Sequence, residues 1–510
     1  MAKNIKEVIQ KISIIFIMLL ILIFTYNTAI INAQSSEQRI LINEIKFNQS
    51  EILSKDEIKA ITVKYEGKKL TVSEMRGIVE EINQIYNKRG FITARAILPA
   101  QEVENGILKL KLIEGKIGEI NISGNKETKD SYILKRLAFQ RGDIIQIDEL
   151  ENELFYFNAT SDLNVQVELK AGKAYATTDL HLQINEPKKY NFSIFTDNGG
   201  SKETGIIRYG FNFANSSLRG CRDKLSLSLF ETAGAFSGGL NYTVLLNTRG
   251  GQVSVGYNKS YTDIIAGEYK ELNIEGDYEE YSLNLSHPIK VEPGQIKEGF
   301  FRYKTKNSDT YFSGTNLLND DVQTYSLGLH MQKVNPKVTW VSEVEILKGY
   351  AVSGKGSFTD PGTIQDFIKY KANIENQRYI NKGDLFTFKF DLQLTNNKLL
   401  PSSEQYSLGG VSSIRGFKSG KLSGDKGFYF NLELKSKVNN KINNYVFLDH
   451  GAVYPYKGNE EQINKEDFIT SAGIGLDINF TKSLKADFVL GLPLEVGNKP
   501  KLHFNIQKSW

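Results

Sequence analysis

Two short segments hold the residue types most able to do chemistry in this 510-residue chain: Ser413-Ile414-Arg415-Gly416-Phe417 and Phe447-Leu448-Asp449-His450-Gly451. An arginine and an aspartate set in a strand-rich region point to an ion pair, because a guanidinium stays charged and can grip a carboxylate through two parallel hydrogen bonds. Catalytic chemistry is poorly served. The histidines, at positions 181, 287, 330, 450 and 503, show no metal-ligand spacing such as two on one helical turn. Asp449 and His450 are adjacent on a strand, so their side chains point to opposite faces and cannot act as an acid–base pair. Cys221 lies in a turn with no histidine nearby, and Gly473-Ile474-Gly475 enters a strand where a nucleotide loop would open a helix. The residues predict no catalytic group, no metal and no cofactor.

The elements that must position Arg415 and Asp449 are strands. Beyond Pro187, which interrupts strand pairing, segments of period two recur between Gly, Asn and Asp turns. Phe386, Phe388, Phe390, Leu392 and Leu394 alternate with Thr387, Lys389, Asp391 and Gln393. Phe428, Phe430, Leu432 and Leu434 alternate with Tyr429, Asn431, Glu433 and Lys435, and Leu484 to Leu492 repeats the pattern. A soluble sandwich explains one such strand. Charge on so many polar faces favours a membrane barrel, in which apolar residues face lipid and polar ones the lumen. At about 20 residues per strand and turn, residues 187–510 hold about 16 antiparallel strands. The last carries Leu502, Phe504 and Ile506 and ends in Trp510, with Lys508 near the end where its side chain can snorkel.

The N-terminal region reads differently. Lys3, Lys6 and Lys11 precede an apolar run, Ile12 to Phe24, and the small residues Ala29 and Ala33 follow. That order predicts a secretory signal peptide over 1–33, and the run is short of the ~20 residues a membrane anchor needs. Residues 34–39 form a short segment before the first strand, whereas a helix spanning the lumen needs ~20 residues, so no barrel plug is expected. Residues 40–116 and 117–186 each read β-α-α-β-β. In the first unit Ile40–Phe47 is a strand, Ser54 with Glu57 and Thr71 with Glu74 have capping-box spacing, and Gly90 ends the second helix. Strands at Phe91–Leu98 and Leu108–Glu114 follow. In the second unit the strands are Ile117–Ser123, Val165–Leu169 and Thr178–Ile184, with helices over Tyr132–Phe139 and from Asp148. The chain carries a formal charge of +4, and loss of residues 1–33, with three lysines and one glutamate, leaves +2. So weak a balance gives no support for nucleic-acid binding. With Cys221 alone, no intramolecular disulfide can form.

Taken together, the signal peptide, the tandem α/β units and the barrel with Ile414-Arg415-Gly416-Phe417 and Phe447-x-Asp449-x-Gly451 resemble the two-partner secretion transporters of the haemolysin secretion/activation type. The segments Arg89 to Arg95, Glu114 to Gly118, Asp197-Asn198-Gly199-Gly200 and Leu285-Ser286-His287-Pro288 extend the similarity over about residues 40–510. The resemblance implies two periplasmic POTRA domains ahead of an outer-membrane barrel in a diderm bacterium. It implies that Arg415 sits at the tip of a long loop folded back into the lumen, with Gly416 permitting the tip and Phe417 wedging it. Asp449, flanked by Phe447 and Gly451, would lie on the inner wall. The implied partners are a secreted exoprotein bearing an N-terminal secretion domain, outer-membrane lipid, and the barrel-assembly machinery and chaperones of biogenesis. The client would be captured at POTRA sheet edges and passed outward unfolded, without ATP. Two other readings are an assembly factor of the same superfamily, whose members resemble chains with three or more POTRA units, and a diffusion porin, which needs neither receptor units nor the two motifs.

Overall fold

The computed structural model describes residues 38–353, 364–396, 400–454, 467–495 and 497–510. The expected signal peptide over 1–33 and most of the 34–39 segment lie outside them. The chain forms two compact units: residues up to 120 with 140–150 and 169–180, and residues 121–139, 151–168 and 181–510.

The first unit is built on β1 (Ile40–Ile42), β2 (Glu44–Phe47), α1 (Lys55–Thr62), β3 (Lys68–Leu70), α2 (Val72–Lys88), β4 (Arg95–Ile97) and β5 (Ile107–Ile113). Both capping boxes form: the Ser54 N–H donates to Glu57 at 2.8 Å and the Thr71 N–H to Glu74 at 2.7 Å. The stripe Met75, Ile78, Ile82 and Tyr86 is buried against Leu108, Leu110 and Leu112. The expected strand Ile40–Phe47 is broken at Asn43, whose N–H donates to the Gly106 carbonyl at 2.8 Å. That diversion frees β1 to pair antiparallel with β3, while β2 pairs parallel with β5. The strand expected over Phe91–Leu98 shrinks to β4, because the Phe91 N–H is taken by the Tyr86 carbonyl at 2.9 Å in closing α2.

The second α/β layer contributes to both units. It comprises β6 (Lys116–Ser123), α3 (Asp130–Arg136), α4 (Ile147–Ala159), β7 (Asn164–Ala171) and β8 (Thr177–Asn185), with sheet order β6-β8-β7. The helix expected over Tyr132–Phe139 starts and stops earlier, as Leu137 is already extended.

The second unit is dominated by a closed antiparallel barrel of sixteen strands among the described residues. In chain order these are β9 (Tyr190–Asp197), β10 (Arg208–Asn215), β11 (Lys224–Glu231), β12 (Ala235–Leu245), β13 (Gln252–Asp263), β14 (Ile274–Glu292) and β15 (Gln295–Phe312). Next come β16 (Thr315–Val334), β17 (Val338–Ser353), β18 (Ile364–Tyr379) and β19 (Asp384–Thr395). Two short strands, β20 (Tyr406–Leu408) and β21 (Leu422–Gly424), pair with each other outside the barrel ladder. The ring resumes with β22 (Lys426–Lys437), β23 (Ile442–Tyr454), β24 (Phe468–Asn479), β25 (Leu484–Pro493) and β26 (Lys501–Ser509). Pairing of Asn505–Ser509 with Ser193–Asp197 closes it, and Trp510 stacks on Phe192 with ring centroids 4.7 Å apart. The ladder slips beside Pro288, which has no N–H to give, and again between β15 and β16 at Thr310 and Tyr311.

Leu327, Leu329, Val344, Ile346, Ile474 and Leu502 are exposed on the apolar face of the wall. An apolar exterior on a closed sheet, with each strand hydrogen-bonded to two neighbours, is the arrangement a bilayer requires. The cross-strand registers put Asp391, Asn431, Asp449 and Ser471 together on the other, polar face.

Candidate functional site

The connection from β19 to β22 folds into the barrel. Its residues reach Lys306 on β15, Asp449 on β23 and His503 on β26, all on the polar face, and only a segment inside the lumen can touch all three. β20 and β21 form the stem of this inward loop, and Ser413 to Phe417 form its tip.

Arg415 and Asp449 meet as a bidentate pair. Arg415 Nε donates to Asp449 Oδ2 at 2.9 Å and Nη2 to Oδ1 at 2.8 Å, while the Arg415 backbone N–H donates to Oδ2 at 2.9 Å. Asp449 is fully buried and Arg415 is 8% exposed. The third guanidinium nitrogen, Nη1, donates to Glu433 Oε2 at 2.7 Å. Burying ions is costly unless each is paired and its remaining hydrogen-bonding capacity is used, and here Asn431 completes the set. Its Nδ2 donates to Asp449 Oδ1 at 2.8 Å and to the Ser413 carbonyl at 2.7 Å, tying loop to wall a second time.

Shape supports the charge. The guanidinium lies over the Phe447 ring, 3.6 Å from its centroid, and cation–π attraction strengthens where water is excluded. Phe447 can lie flat only because its neighbour on β24 is Gly473, where an added Cβ would meet the ring at 2.4 Å. Gly416 has φ +91° and its N–H donates to His503 Nε2 at 3.2 Å. A Cβ there would come within 2.9 Å of the Gly491 backbone, so the tip fits only with glycine. Ile414 and Phe417 are buried with Leu408, Val453 and Ile469 in an apolar cluster that wedges the tip. Gly451 leaves room for this packing, since its Cβ would stand 3.0 Å from Leu408.

The structure therefore brings Ile414, Arg415, Gly416, Phe417, Phe447, Asp449 and Gly451 into one site. His450 faces outward, bonded to Thr470 at 2.9 Å and packed on Phe430. Asn431, Glu433, His503, Gly473 and Gly491 are additions that sequence reading did not single out. Asn431 and Glu433 carried one signal, their place on the polar side of a strand. Among the described residues no group of His, Cys, Asp and Glu could hold a metal ion. The site's chemistry is electrostatic clamping of a loop to a wall.

Comparison with known proteins agrees with this architecture. The family model described as haemolysin secretion/activation protein ShlB/FhaC/HecB matches residues 176–478, more than half of the chain. A ShlB-type POTRA model matches residues 40–115, and a POTRA model described as surface antigen variable number repeat matches 115–186. The chain is 26% identical over 487 residues to the heme/hemopexin transporter protein HuxB of Haemophilus influenzae, covering 90% of this chain and 84% of that protein. It is 25% identical to the outer membrane transporter CdiB of Dickeya dadantii, covering 82% of this chain and 76% of the relative. The solved structure of CdiB from Acinetobacter baumannii has the same fold, with TM-score 0.65 and 19% identity over 93% of this chain and 91% of that one. With POTRA-type domains on the periplasmic side of an outer-membrane barrel, this chain belongs to the haemolysin secretion/activation family ShlB/FhaC/HecB, the transporters that carry an exoprotein partner across the outer membrane.

Proposed function

We propose that the loop carrying Ile414, Arg415, Gly416 and Phe417 is the resting closure of the export channel, and that Phe447, Asp449 and Gly451 form the wall seat from which it must be released. The observation that carries this reading is the buried bidentate pair: a loop held in the lumen by a paired, hydrogen-bonded charge cluster has one strongly preferred pose. In this scheme residues 40–116 and 117–186 act as receptor domains and 187–510 as the conduit. The client is an unfolded haemolysin- or adhesin-like exoprotein, captured by strand addition at a sheet edge. Edges are available at β2 and β4 in the first unit's sheet and at β6 and β7 in the second layer, and an extended chain binds such edges through its backbone. The barrel itself is a substrate of the barrel-assembly machinery and periplasmic chaperones and is solvated by outer-membrane lipid. No catalytic step, ATP or nucleic acid enters the scheme.

The test is export from cells carrying the transporter as wild type, Arg415→Ala or Arg415→Lys, with heat-modifiable electrophoretic mobility reporting barrel folding. Exoprotein released to the medium should fall sharply with Arg415→Ala and partly with Arg415→Lys. Wild-type release from a folded Arg415→Ala barrel would defeat the proposed role of the loop.

A further inference from the structure

At the other end of the inward loop lies a second charge cluster that the Arg415 seat does not use. Glu404, in a turn just before β20, is 3% exposed. Its carboxylate accepts from Lys306 Nζ on β15 at 2.6 Å and forms an ion pair with Lys369 Nζ on β18, itself 1% exposed. The Glu404 carbonyl accepts from Lys369 Nζ and from Gln393 Nε2 on β19, each at 3.0 Å. The same Gln393 amide donates to the Asp425 carbonyl at 3.0 Å, so one wall residue holds the chain on either side of the loop's stem, just before β20 and just after β21. Apolar packing reinforces the position, with Leu400 of the loop buried among Val322, Leu347, Ala351 and Phe367 on the inner wall.

The two clusters have opposite polarity. The loop carries its cation, Arg415, to an acidic arc formed by Glu433 and Asp449, and its anion, Glu404, to a basic arc formed by Lys306 and Lys369. A single ion pair fixes one point and leaves a loop free to pivot about it. Two pairs of opposite sign on different arcs fix orientation as well, because a reversed or shifted loop would set like charges together. Burial makes that discrimination strong, since interactions between charges grow as water is removed.

We propose that Glu404 is a second positioning residue of the loop, clamping its stem to the wall independently of Arg415, and that the channel opens fully only when both clamps are released. This rests on the reading of the loop as the closure of the channel. Removing the Glu404 charge would leave the buried Lys369 and the half-buried Lys306 facing each other without the carboxylate between them, so the seated pose should lose its advantage while the hydrogen-bonded barrel wall persists.

The experiment is single-channel recording of the full-length protein in planar bilayers, with heat-modifiable mobility confirming each barrel. The variants are Arg415→Ala, Glu404→Gln, the two combined, and the charge exchange Glu404→Lys with Lys369→Glu. Glu404→Gln should raise open probability by on the order of tenfold, as expected when one of the two clamps on the seated pose loses its charge pair. The double variant should exceed either single one, and the exchange, which restores an opposite-charge pair between positions 404 and 369 but sets the new lysine against Lys306, should return the channel part of the way toward wild type. A mere packing role for Glu404 would not give that rescue. If Arg415→Ala opens the channel and Glu404→Gln does not, the second clamp is overturned while the closure reading stands. If neither variant changes open probability, both fall.

Discussion

Arg415 and its contacts decide the energetics at the residue scale. Replacing it with alanine strands the Asp449 carboxylate in a buried position, a loss of ~3–5 kcal/mol for a buried pair deprived of one partner. That loss falls on loop seating, because the carboxylate belongs to a strand whose backbone bonds are untouched. Arg415→Lys keeps the charge but cannot span both Asp449 oxygens and Glu433 while stacking on Phe447, so its effect should be intermediate. Trypsin cleavage in the loop on intact cells should follow the order alanine, lysine, wild type; equal rates for all three would show that the pair does not hold the loop. Gly416→Val should accelerate cleavage at least as much as Arg415→Lys, since it combines a φ of +91° with a clash against Gly491. The two motifs could be singled out from sequence because a lone Arg-Gly and a lone Asp gain meaning together. Their supporting residues could not be, since the pairing of Asn431 with Asp449 and of Glu433 with Phe447 is a matter of strand register.

Register also governs what was readable at the scale of the element. Period-two alternation fixes which residues share a face, so the strands about Phe386, Phe428 and Leu484 and their polar sides follow from sequence alone. Where short-range hydrogen bonds compete with the pattern, the pattern loses, as at Asn43 and at Phe91. The packing of Phe447 against Gly473 is a cross-strand device of the kind alternation cannot reveal. Gly473→Val should push the Phe447 ring off its neighbour and remove the surface on which Arg415 rests. Its loop should be cleaved by trypsin as fast as that of Arg415→Ala; wild-type cleavage would show that the ring does not support the guanidinium. In α1 the capping carboxylate of Glu57 is also held by Arg89, and these hydrogen bonds bring its pKa down to about 2. A carboxylate lowered in this way stabilises the fold at pH values above its ordinary range near 4.3, and that contribution fades as pH falls from there toward 2. NMR titration should find the Glu57 midpoint near 2, and Arg89→Ala should move it upward. An ordinary midpoint in the wild-type protein would mean that the pair does not form in solution.

On the scale of the whole molecule, the account joins a receptor region, a barrel without free edges and a loop that occupies its lumen. The wall is built to persist: each strand is hydrogen-bonded on both sides, so loop movement need not disturb it. The loop is attached by side chains, which can exchange partners. On the proposed reading, passage of an extended chain requires the loop to leave its seat. The most direct test joins loop to wall covalently in a Cys221→Ser background, with Ser413→Cys and Asn431→Cys, whose wild-type residues touch through the Asn431 amide and Ser413 carbonyl at 2.7 Å. Each single cysteine serves as a control for loss of the native contact. Under oxidising conditions the double variant should stop exporting its exoprotein, and a reductant should restore export to the level of the single variants. Undiminished export through a barrel shown to be fully cross-linked would contradict the account.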